Sequence, residues 1–298
     1  MPAAAHTAPA PSPARHSLGG LLLGALLIGL GPIFVRLADV GPTAAAFWRV
    51  ALALPLLLAL QRATRMPPPP AGTSRAGLWL AGLAFAGDLA VWHQSIRLTS
   101  VANATLLANL APVFLTLTLH FGMGQRHSGR FWLGLALAVA GAAVLLAGSL
   151  RIGAQTALGD LCGIVAAAFY AAYQLVVSRS RRWFSAADVM LRSSIVSAAL
   201  LLALALATAE PLWPRSAHGW AVLGGLAIVT HVCGQGLIAW ALAHLPPAFS
   251  SVALLVQPVA AAIFAWLLLG EGFGAQQAVG GAVVLAGIVL CRLATVLP

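Results

Sequence analysis

Long apolar segments recur along the whole chain, and short polar connections separate them. Each segment covers about 18 to 25 residues, which is enough to cross roughly 30 Å of hydrocarbon as an α-helix. The pattern predicts an all-α membrane protein with ten transmembrane helices and no soluble domain. The spans, numbered 1 to 10 in chain order, are predicted at residues 17–36, 43–61, 76–97, 100–121, 131–149, 157–178, 186–208, 217–241, 247–269 and 276–296.

The residues that bend helices or let them pack closely repeat at a constant offset of 146 positions. The first set is Pro112, Gly124, Gly134 and Gly141, and the second is Pro258, Gly270, Gly280 and Gly287. No gap is needed to align them. The match indicates an internal duplication, an organisation that is typical of membrane transporters. We therefore predict two five-helix repeats, at residues 17–149 and 157–296, around a central cavity.

The N-terminal 16 residues are rich in Pro and Ala and are predicted to form a disordered cytoplasmic tail. A cleavable signal peptide is the alternative for this end of the chain. Its apolar core would exceed the usual length of roughly 7 to 15 residues, which favours a retained first helix. Cys162, Cys233 and Cys291 lie inside spans without metal-ligand spacing and are interpreted as buried packing residues.

Composition places the chain among integral membrane proteins, because 61% of its residues are hydrophobic, only 7% are charged and the mean hydropathy is +0.95. The net charge of +10 comes entirely from arginines, and these are sorted by loop. One side carries Arg15, Arg62, Arg65, Arg75, Arg126, Arg130, Arg179, Arg181, Arg182 and Arg292. The other carries Arg36, Arg97, Arg151 and Arg215, accompanied by Asp39, Asp160, Glu210 and Glu271.

By the positive-inside rule, this distribution puts both termini on the cytoplasmic side of the membrane. The charge therefore reports topology and argues against a nucleic-acid partner. Since each half has an odd number of spans, the two halves enter the membrane from opposite faces, and the repeat is predicted to be inverted. The same topology places Arg49 near the outer face and Arg192 near the inner face.

Several stretches of the chain resemble the drug/metabolite transporter superfamily, specifically the ten-helix EamA-type exporters. The likeness rests on PIFVRLA and FWRVALALPLLL in spans 1 and 2, SVANATLLANLAPVF in span 4, and SSVALLVQPVAAAIFAWLLLGE with GGAVVLAGIVL in spans 9 and 10. It covers residues 18–296. The first half departs from the pattern, with Gly124-Gln125 where Gly-Glu is expected.

The resemblance implies a basket of helices around a central cavity, which exports amino acids or other small metabolites by alternating access. Members related to aromatic amino-acid exporters fit this chain length best. The resemblance also implies that spans 1–4 and 6–9 form the rocking basket, with spans 5 and 10 as supports or as a dimer contact. It does not identify the substrate.

Asp88 is the acidic residue that the pattern places deep inside a span, where a lone carboxylate is costly unless it is protonated, paired or hydrated. It is a candidate for carrying a coupling proton or for meeting a substrate amino group, and a structural hydrogen bond between helices is the alternative. His93 and Gln94 follow on the same helix as cavity candidates. For His93, a satisfied interfacial histidine is the alternative.

Polar and aromatic residues on other spans complete the predicted cavity. Tyr170, Tyr173 and Gln174 in span 6 share one helix face, and His231 and Gln235 in span 8 form an i, i+4 pair. Trp92 and Trp240 are candidate apolar walls. Helix packing is the alternative for each of these residues.

Pro112 and Pro258 occupy matched helices of the two halves and are predicted to bend them, because proline removes a backbone donor and clashes with the preceding turn. Asn109 and Gln257, near the two prolines, are expected to satisfy a freed carbonyl or to reach the cavity. Arg49 is a gate candidate that would clamp a substrate carboxylate. Snorkelling to lipid headgroups or a pair with Asp39 is the alternative for Arg49.

These features predict an inner-membrane exporter of small organic metabolites, most consistent with amino acids, that is either proton-coupled or facilitative. Its expected partners are the small-molecule substrate and the lipid bilayer, and the protein is expected to be a monomer or a weak homodimer. No cofactor and no metal are expected. The alternatives are an intramembrane enzyme, which needs a converging catalytic constellation, and a scaffold or sensor that does not transport.

Overall fold

The computed structural model describes residues 14–64, 66–99, 101–147, 153 and 156–296, and their regular secondary structure is entirely helical. The first half contains α1 (Ala14–Gly29), α2 (Gly31–Leu37), α3 (Pro42–Ala51), α4 (Leu54–Ala63), α5 (Ala76–Leu98), α6 (Val101–Ala108), α7 (Ala111–Leu117) and α8 (Gly129–Leu146). The second half contains α9 (Ala157–Ser180), α10 (Ala186–Ala207), α11 (Ala217–Gly225), α12 (Gly236–Ala241), α13 (Pro247–Ala253), α14 (Val256–Leu269) and α15 (Ala275–Val296). Two π-helical segments, Thr118–Gly122 and Leu226–Gln235, join α7 to its connection and α11 to α12.

Nine helices in the described part of the chain are long and apolar enough to cross a membrane. They correspond to nine of the predicted spans, and the protein is therefore a multi-pass membrane protein. Span 3 is the exception. It forms the continuous 23-residue helix α5, whose hydropathy is lowered by Asp88, Trp92, His93, Gln94 and Arg97.

Three connections end in serine caps that fix where the next helix begins. The hydroxyl oxygen of Ser128 accepts a hydrogen bond from Phe131 N, that of Ser185 from Asp188 N, and that of Ser216 from Gly219 N. Each bond satisfies one of the free amide donors at a helix start. The starts of α8, α10 and α11 are therefore set by local sequence as well as by the apolar pattern.

The matched prolines lie just after interruptions in spans 4 and 9. Span 4 breaks between Ala108 and Ala111, and span 9 breaks between Ala253 and Val256. At both breaks the hydrogen bonds tighten to an i→i+3 pattern, with Leu110 N donating to Leu107 O and Leu255 N donating to Val252 O. Spans 1 and 2 are also interrupted, before Pro32 and Pro55.

The matched glycines Gly124 and Gly270 share a left-handed backbone, with φ values of 69° and 67°. A side chain is disfavoured in this conformation, so glycine is the natural residue at both turns. Gly270 ends α14. Gly124 lies in the turn that follows the π segment Thr118–Gly122.

The remaining four glycines of the two frames meet where α8 packs against α15. A Cβ atom on Gly134 would lie 2.8 Å from Gly287 O, and one on Gly141 would lie 2.8 Å from Gly280 O. Because the earlier residue of one helix faces the later residue of the other, the two helices run antiparallel. The glycines permit this backbone approach, as small residues do at membrane helix interfaces.

Packing in the rest of the bundle pairs helices from different halves. α5 packs mainly on α9 and α10, while α1 packs on the π segment Leu226–Gln235, α12 and α14. α3 and α4 contact α10. In the two halves, α5 (span 3) corresponds to span 8, and α9 (span 6) corresponds to α1 (span 1). The α5–α9 contact and the contact between α1 and span 8 are therefore equivalent, as two related halves require.

Some predictions need correction or fall outside the described residues. The predicted tail extends to residue 16, but α1 begins at Ala14. Cys291 is buried and Cys162 is partly buried, whereas Cys233 is exposed on the outside of the bundle. The predicted tail residues 1–13 and the side chains of Arg15, Arg65 and Arg151 lie outside the described residues.

Candidate functional site

A cavity of about 150 Å³ lies inside the bundle, between the two halves. Liquid water occupies ~30 Å³ per molecule, so this space accepts a small organic molecule and not a large one. Nine of its lining residues are apolar or glycine: Ile28, Gly29, Gly31, Val35, Phe85, Leu89, Trp92, Ala108 and Ala261. The others are Pro32, Arg49, Asp88, Thr105, Asn109, Tyr170, Gln235, Gln257 and Pro258.

One face of α5 forms a wall of the cavity. Phe85, Asp88, Leu89 and Trp92 follow the i, i+3, i+4, i+7 spacing of a helical stripe, and all four line the cavity. No hydrogen bond joins the Asp88 carboxylate to another described residue, in contrast to Asp160, which accepts bonds from Thr99, Asn103 and Thr156. The Asp88 carboxylate is therefore available to a molecule in the cavity.

Arg49 approaches the same cavity from α3 and lies close enough to Asp88 for their charges to interact. Its guanidinium carbon lies 5.7 Å from the centre of the Phe85 ring, within cation–π range. Its Nε is buried without a hydrogen-bond partner among the described residues. Asp39, the alternative partner considered from sequence, accepts instead from Arg215 N and Ser216 Oγ.

Arg49 and Asp88 do not form a direct ion pair. Among the described residues, pairs within 4.0 Å join Arg36 to Glu271, Arg97 to Glu210, and Arg192 to Asp188. The cavity thus holds one cationic and one anionic side chain, separated by a gap and without a salt-bridge partner. Unpaired charges in the membrane interior are costly and are concentrated at functional sites.

Tyr170 supplies the facing wall from α9. The side-chain amides of Gln235 and Gln257 line the same cavity. Nε2 of Gln257 has no hydrogen-bond partner among the described residues. The Tyr173 ring stacks behind Tyr170 at a centroid distance of 6.2 Å, and its hydroxyl accepts from Gln235 at 3.3 Å.

The interrupted helices reach the cavity at their breaks. Asn109 lines it at the break in span 4, and its side-chain amide donates to Thr105 O at 2.8 Å. Gln257, Pro258 and Ala261 line it from the start of α14. The matched breaks in the two halves therefore border one shared space.

Seven sequence candidates lie away from the cavity lining. His231, in the π segment Leu226–Gln235, stacks on Phe85 and bonds Ser194 Oγ through Nε2 at 2.8 Å. Tyr173 and Pro112 are buried behind the lining. The other four are His93 and Gln174, which are buried, Gln94, which is exposed on the outside of α5, and Trp240, which packs against Gly20 and His244.

Several lining residues were not singled out from sequence. Phe85 lies three positions before Asp88, and Thr105 lies four positions before Asn109, so helical spacing from the chosen polar residues finds both. Ile28, Pro32 and Val35 form a similar stripe on span 1. These three residues are apolar, so no polar side chain within the stripe marks it in the sequence.

The end of the bundle near Arg181 is tied together by hydrogen bonds. Nε of Arg181 donates to Ala239 O at 3.0 Å, and Nη1 donates to Phe184 O. Ser178 Oγ donates to Leu242 O at 3.3 Å. Burial lowers the pKa of Arg181 to about 10, so the side chain stays charged at neutral pH and holds the end of α9 against α12.

A multi-pass bundle of helices with a partly polar cavity between two related halves has the architecture of a membrane transporter. The EamA-like transporter family model matches residues 17–147 and 157–293, and the chain belongs to this family. The two matched segments coincide with the two halves of the bundle. They are separated by the connection between α8 and α9.

The chain is similar to several known proteins over most of its length. It is 26% identical over 279 residues to an uncharacterized transporter of Archaeoglobus fulgidus, covering 93% of this chain and 96% of that protein. It is 27% identical over 203 residues to a probable terminal-alkyne amino-acid exporter of Streptantibioticus cattleyicolor, covering 65% and 64%. A crystal structure with 18% identity superposes with a TM-score of 0.81 over 94% of this chain and 97% of that chain, which shows a shared fold.

Proposed function

We propose that the protein exports small organic metabolites, and specifically amino acids, across a bacterial inner membrane by alternating access. The observation that carries the proposal is the small, partly polar cavity between the halves, lined by Arg49 and Asp88, neither of which has a salt-bridge partner among the described residues. The name of the Streptantibioticus relative, a probable amino-acid exporter, supports the substrate class. The protein then has no catalytic role, and its partners are the substrate and the lipid bilayer.

The proposal includes ten spans, which are the nine long apolar helices and α5, the helix of span 3. It also includes an inverted repeat with both termini in the cytoplasm. The antiparallel packing of α8 and α15 supports the inversion, because these helices carry the matched glycines of the two halves. Equivalent helices that run in opposite directions belong to halves of opposite orientation in the membrane. The arginine distribution between loops supports the orientation.

Transport in this proposal uses the breaks in spans 4 and 9 as hinges beside the cavity. The lining residues of α2, α3, α5 and α6 lie toward the predicted outer ends of those spans. The predicted cytoplasmic end is held closed by Arg181. We infer that this conformation faces outward, and that movement within the basket of spans 1–4 and 6–9 opens the opposite end by separating span 6 from span 8.

Energy coupling in the proposal depends on Asp88. Transport is proton-coupled if Asp88 carries a proton during the cycle, and it is facilitative if Asp88 does not. The direct test is counterflow in liposomes containing purified protein, with labelled amino acids and nucleobase-like metabolites as substrates. We expect accumulation of at least one amino acid, absent from protein-free liposomes. Failure of every compound to exchange would argue against transport.

A cysteine-accessibility experiment separates a transporter from a non-transporting scaffold. In a variant lacking the native cysteines, Thr105→Cys and Ala261→Cys place thiols on the cavity wall. Ala239→Cys, at a fully buried position, is the control. We expect a water-soluble reagent to modify the two cavity thiols faster than the control, and uniform protection would favour a scaffold.

A further inference from the structure

We propose that the cavity binds the backbone of a zwitterionic α-amino acid, with the substrate ammonium on Asp88 and the substrate carboxylate on Arg49. The inference rests on the proposed function and specifies how its site selects a ligand. It assigns two opposite charges to two named side chains. It also assigns the substrate side chain to the apolar wall formed by Phe85, Leu89 and Trp92.

Arg49 and Asp88 are charged side chains of the cavity that lack a partner among the described residues. Asp88 accepts no hydrogen bond from a described residue, and Nε of Arg49 has no partner although it is buried. Buried structural charges are normally paired and hydrogen-bonded. The described ion pairs join other charged residues and leave Arg49 and Asp88 without a partner, so a ligand in the cavity can complement both.

A ligand that complements both side chains carries a negative group for Arg49 and a positive group for Asp88. A carboxylate bonded by a guanidinium and an ammonium bonded by a carboxylate are both charge-assisted hydrogen bonds, which are stronger than neutral ones. A molecule with only one of these charges leaves the other side chain unpaired. In a cavity of about 150 Å³, one small molecule touches both walls, and the two groups of an α-amino acid are adjacent.

The side chain of the substrate meets the uncharged part of the cavity lining. Besides Arg49 and Asp88, the wall includes the apolar residues Phe85, Leu89, Trp92, Ala108 and Ala261. Its polar groups are the neutral side chains Thr105, Asn109, Tyr170, Gln235 and Gln257. The lining offers no further charge to a substrate side chain. The cavity therefore favours an amino acid with an uncharged side chain and disfavours lysine, aspartate and peptides.

The test compares one transported amino acid with three analogues of the same side chain. These are the amino-acid methyl ester and the decarboxylated amine, which lack the carboxylate charge, and the N-acetyl derivative, which lacks the ammonium charge. Competition against counterflow and ligand-induced stabilisation of the purified protein are measured in parallel. For the wild-type protein we expect each analogue to bind at least about tenfold more weakly, as the loss of one charged contact predicts.

Two variants then assign each charge to its side chain. Arg49→Gln is expected to weaken the binding of the amino acid by about tenfold, while the binding of the methyl ester and of the amine changes little. Asp88→Asn is expected to weaken the binding of the amino acid, while the binding of the N-acetyl derivative changes little. Arg192→Gln and Asp188→Asn are matched controls, because these residues form an ion pair 2.9 Å long outside the cavity, and they should leave the ranking unchanged.

The outcomes separate the inference from the proposed function. If the wild-type protein exchanges amino acids but the ester or the N-acetyl derivative competes equally well, the inference is overturned and transport stands. Equal weakening of all four ligands by Arg49→Gln would also overturn it, since Arg49 would then act only on folding or conformation. If no ligand exchanges or stabilises the protein, the proposed function itself fails.

Discussion

Gly134 and Gly287 face each other where α8 crosses α15, at a distance that leaves no room for a side chain on either residue. A Cβ atom on Gly287 would lie 2.6 Å from Gly134 O, and one on Gly134 would lie 2.8 Å from Gly287 O. The two glycines come from different halves of the chain. Their contact joins the helices that carry the duplicated glycine frame.

Gly287→Ala is expected to destabilise the protein by about 1 to 3 kcal/mol, because the added methyl group overlaps backbone atoms that cannot rotate away. The nearest of these is Ala138 N, 2.5 Å from the position that the methyl carbon would occupy. Thermal unfolding in detergent measures the effect. The matched control is Gly129→Ala at the start of α8, where a Cβ atom meets nothing within 4 Å. Equal unfolding temperatures for the two variants would contradict the packing argument.

Pro112→Ala and Pro258→Ala are expected to slow transport more than they weaken binding. Each restores an amide donor near a helix break, which favours a continuous helix and stiffens the hinge. We expect the maximal counterflow rate to fall about tenfold, equivalent to about 1.4 kcal/mol on the barrier. Ligand-induced stabilisation should change little.

Pro68→Ala is the control for the hinge variants, since Pro68 lies exposed in the connection between α4 and α5. It should transport as the wild-type protein does. Normal rates in both hinge variants would assign the breaks at Asn109–Leu110 and Leu254–Leu255 a static role. A rate loss that is matched by an equal loss of binding would instead indicate damage to the cavity wall.

The duplicated frame can be predicted from sequence because its prolines and glycines determine the backbone conformation at their own positions. Proline and glycine restrict or release the chain wherever they occur, so Pro112, Pro258, Gly124 and Gly270 mark breaks and turns without tertiary information. The partners of the glycines were not readable. That Gly134 meets Gly287, and not Gly280, follows from the antiparallel packing of two helices far apart in sequence.

The cavity can be predicted from sequence only in part, because it also depends on the packing of helices that are far apart in sequence. Asp88 and Arg49 stood out as charges in apolar spans, but their convergence depends on how α5 packs beside α3. Tyr170 and Tyr173 share a helix face, yet a face is broad, and Tyr173 lies behind Tyr170. The π segment Leu226–Gln235 lies in a span with the hydropathy of an ordinary membrane helix, so hydropathy gives no sign of its i→i+5 bonding.

Asp88→Asn is expected to remove any dependence of transport on a pH gradient while leaving exchange measurable at raised substrate concentration. The amide keeps the size of the carboxylic acid but cannot take up or release a proton in this range. Uptake into liposomes is measured with the inside alkaline, acidic or matched to the outside. The control is Asp188→Asn, whose carboxylate is paired with Arg192 outside the cavity. Unchanged pH-driven uptake in Asp88→Asn would remove Asp88 as the coupling residue.

Arg181→Gln is expected to shift the protein toward the conformation that opens at the predicted cytoplasmic end. The substitution removes the guanidinium that bonds Ala239 O and Phe184 O, and those buried carbonyls lose their charged donor. A shift of about 1.4 kcal/mol would raise the population of the opened state about tenfold. The measurement is the rate at which a water-soluble reagent modifies Leu245→Cys, a buried position at that end, in a background without native cysteines.

The neighbouring Arg182 provides the control for this shift, because it is exposed and Arg182→Gln removes the same charge without removing the link to α12. We expect the thiol at position 245 to react at the parent rate in Arg182→Gln and about tenfold faster in Arg181→Gln. A thiol at position 105, on the cavity wall, should respond in the opposite direction as the outward-facing state loses population. If both thiols became more reactive together, Arg181 would be stabilising the fold as a whole and not one side of the transport cycle.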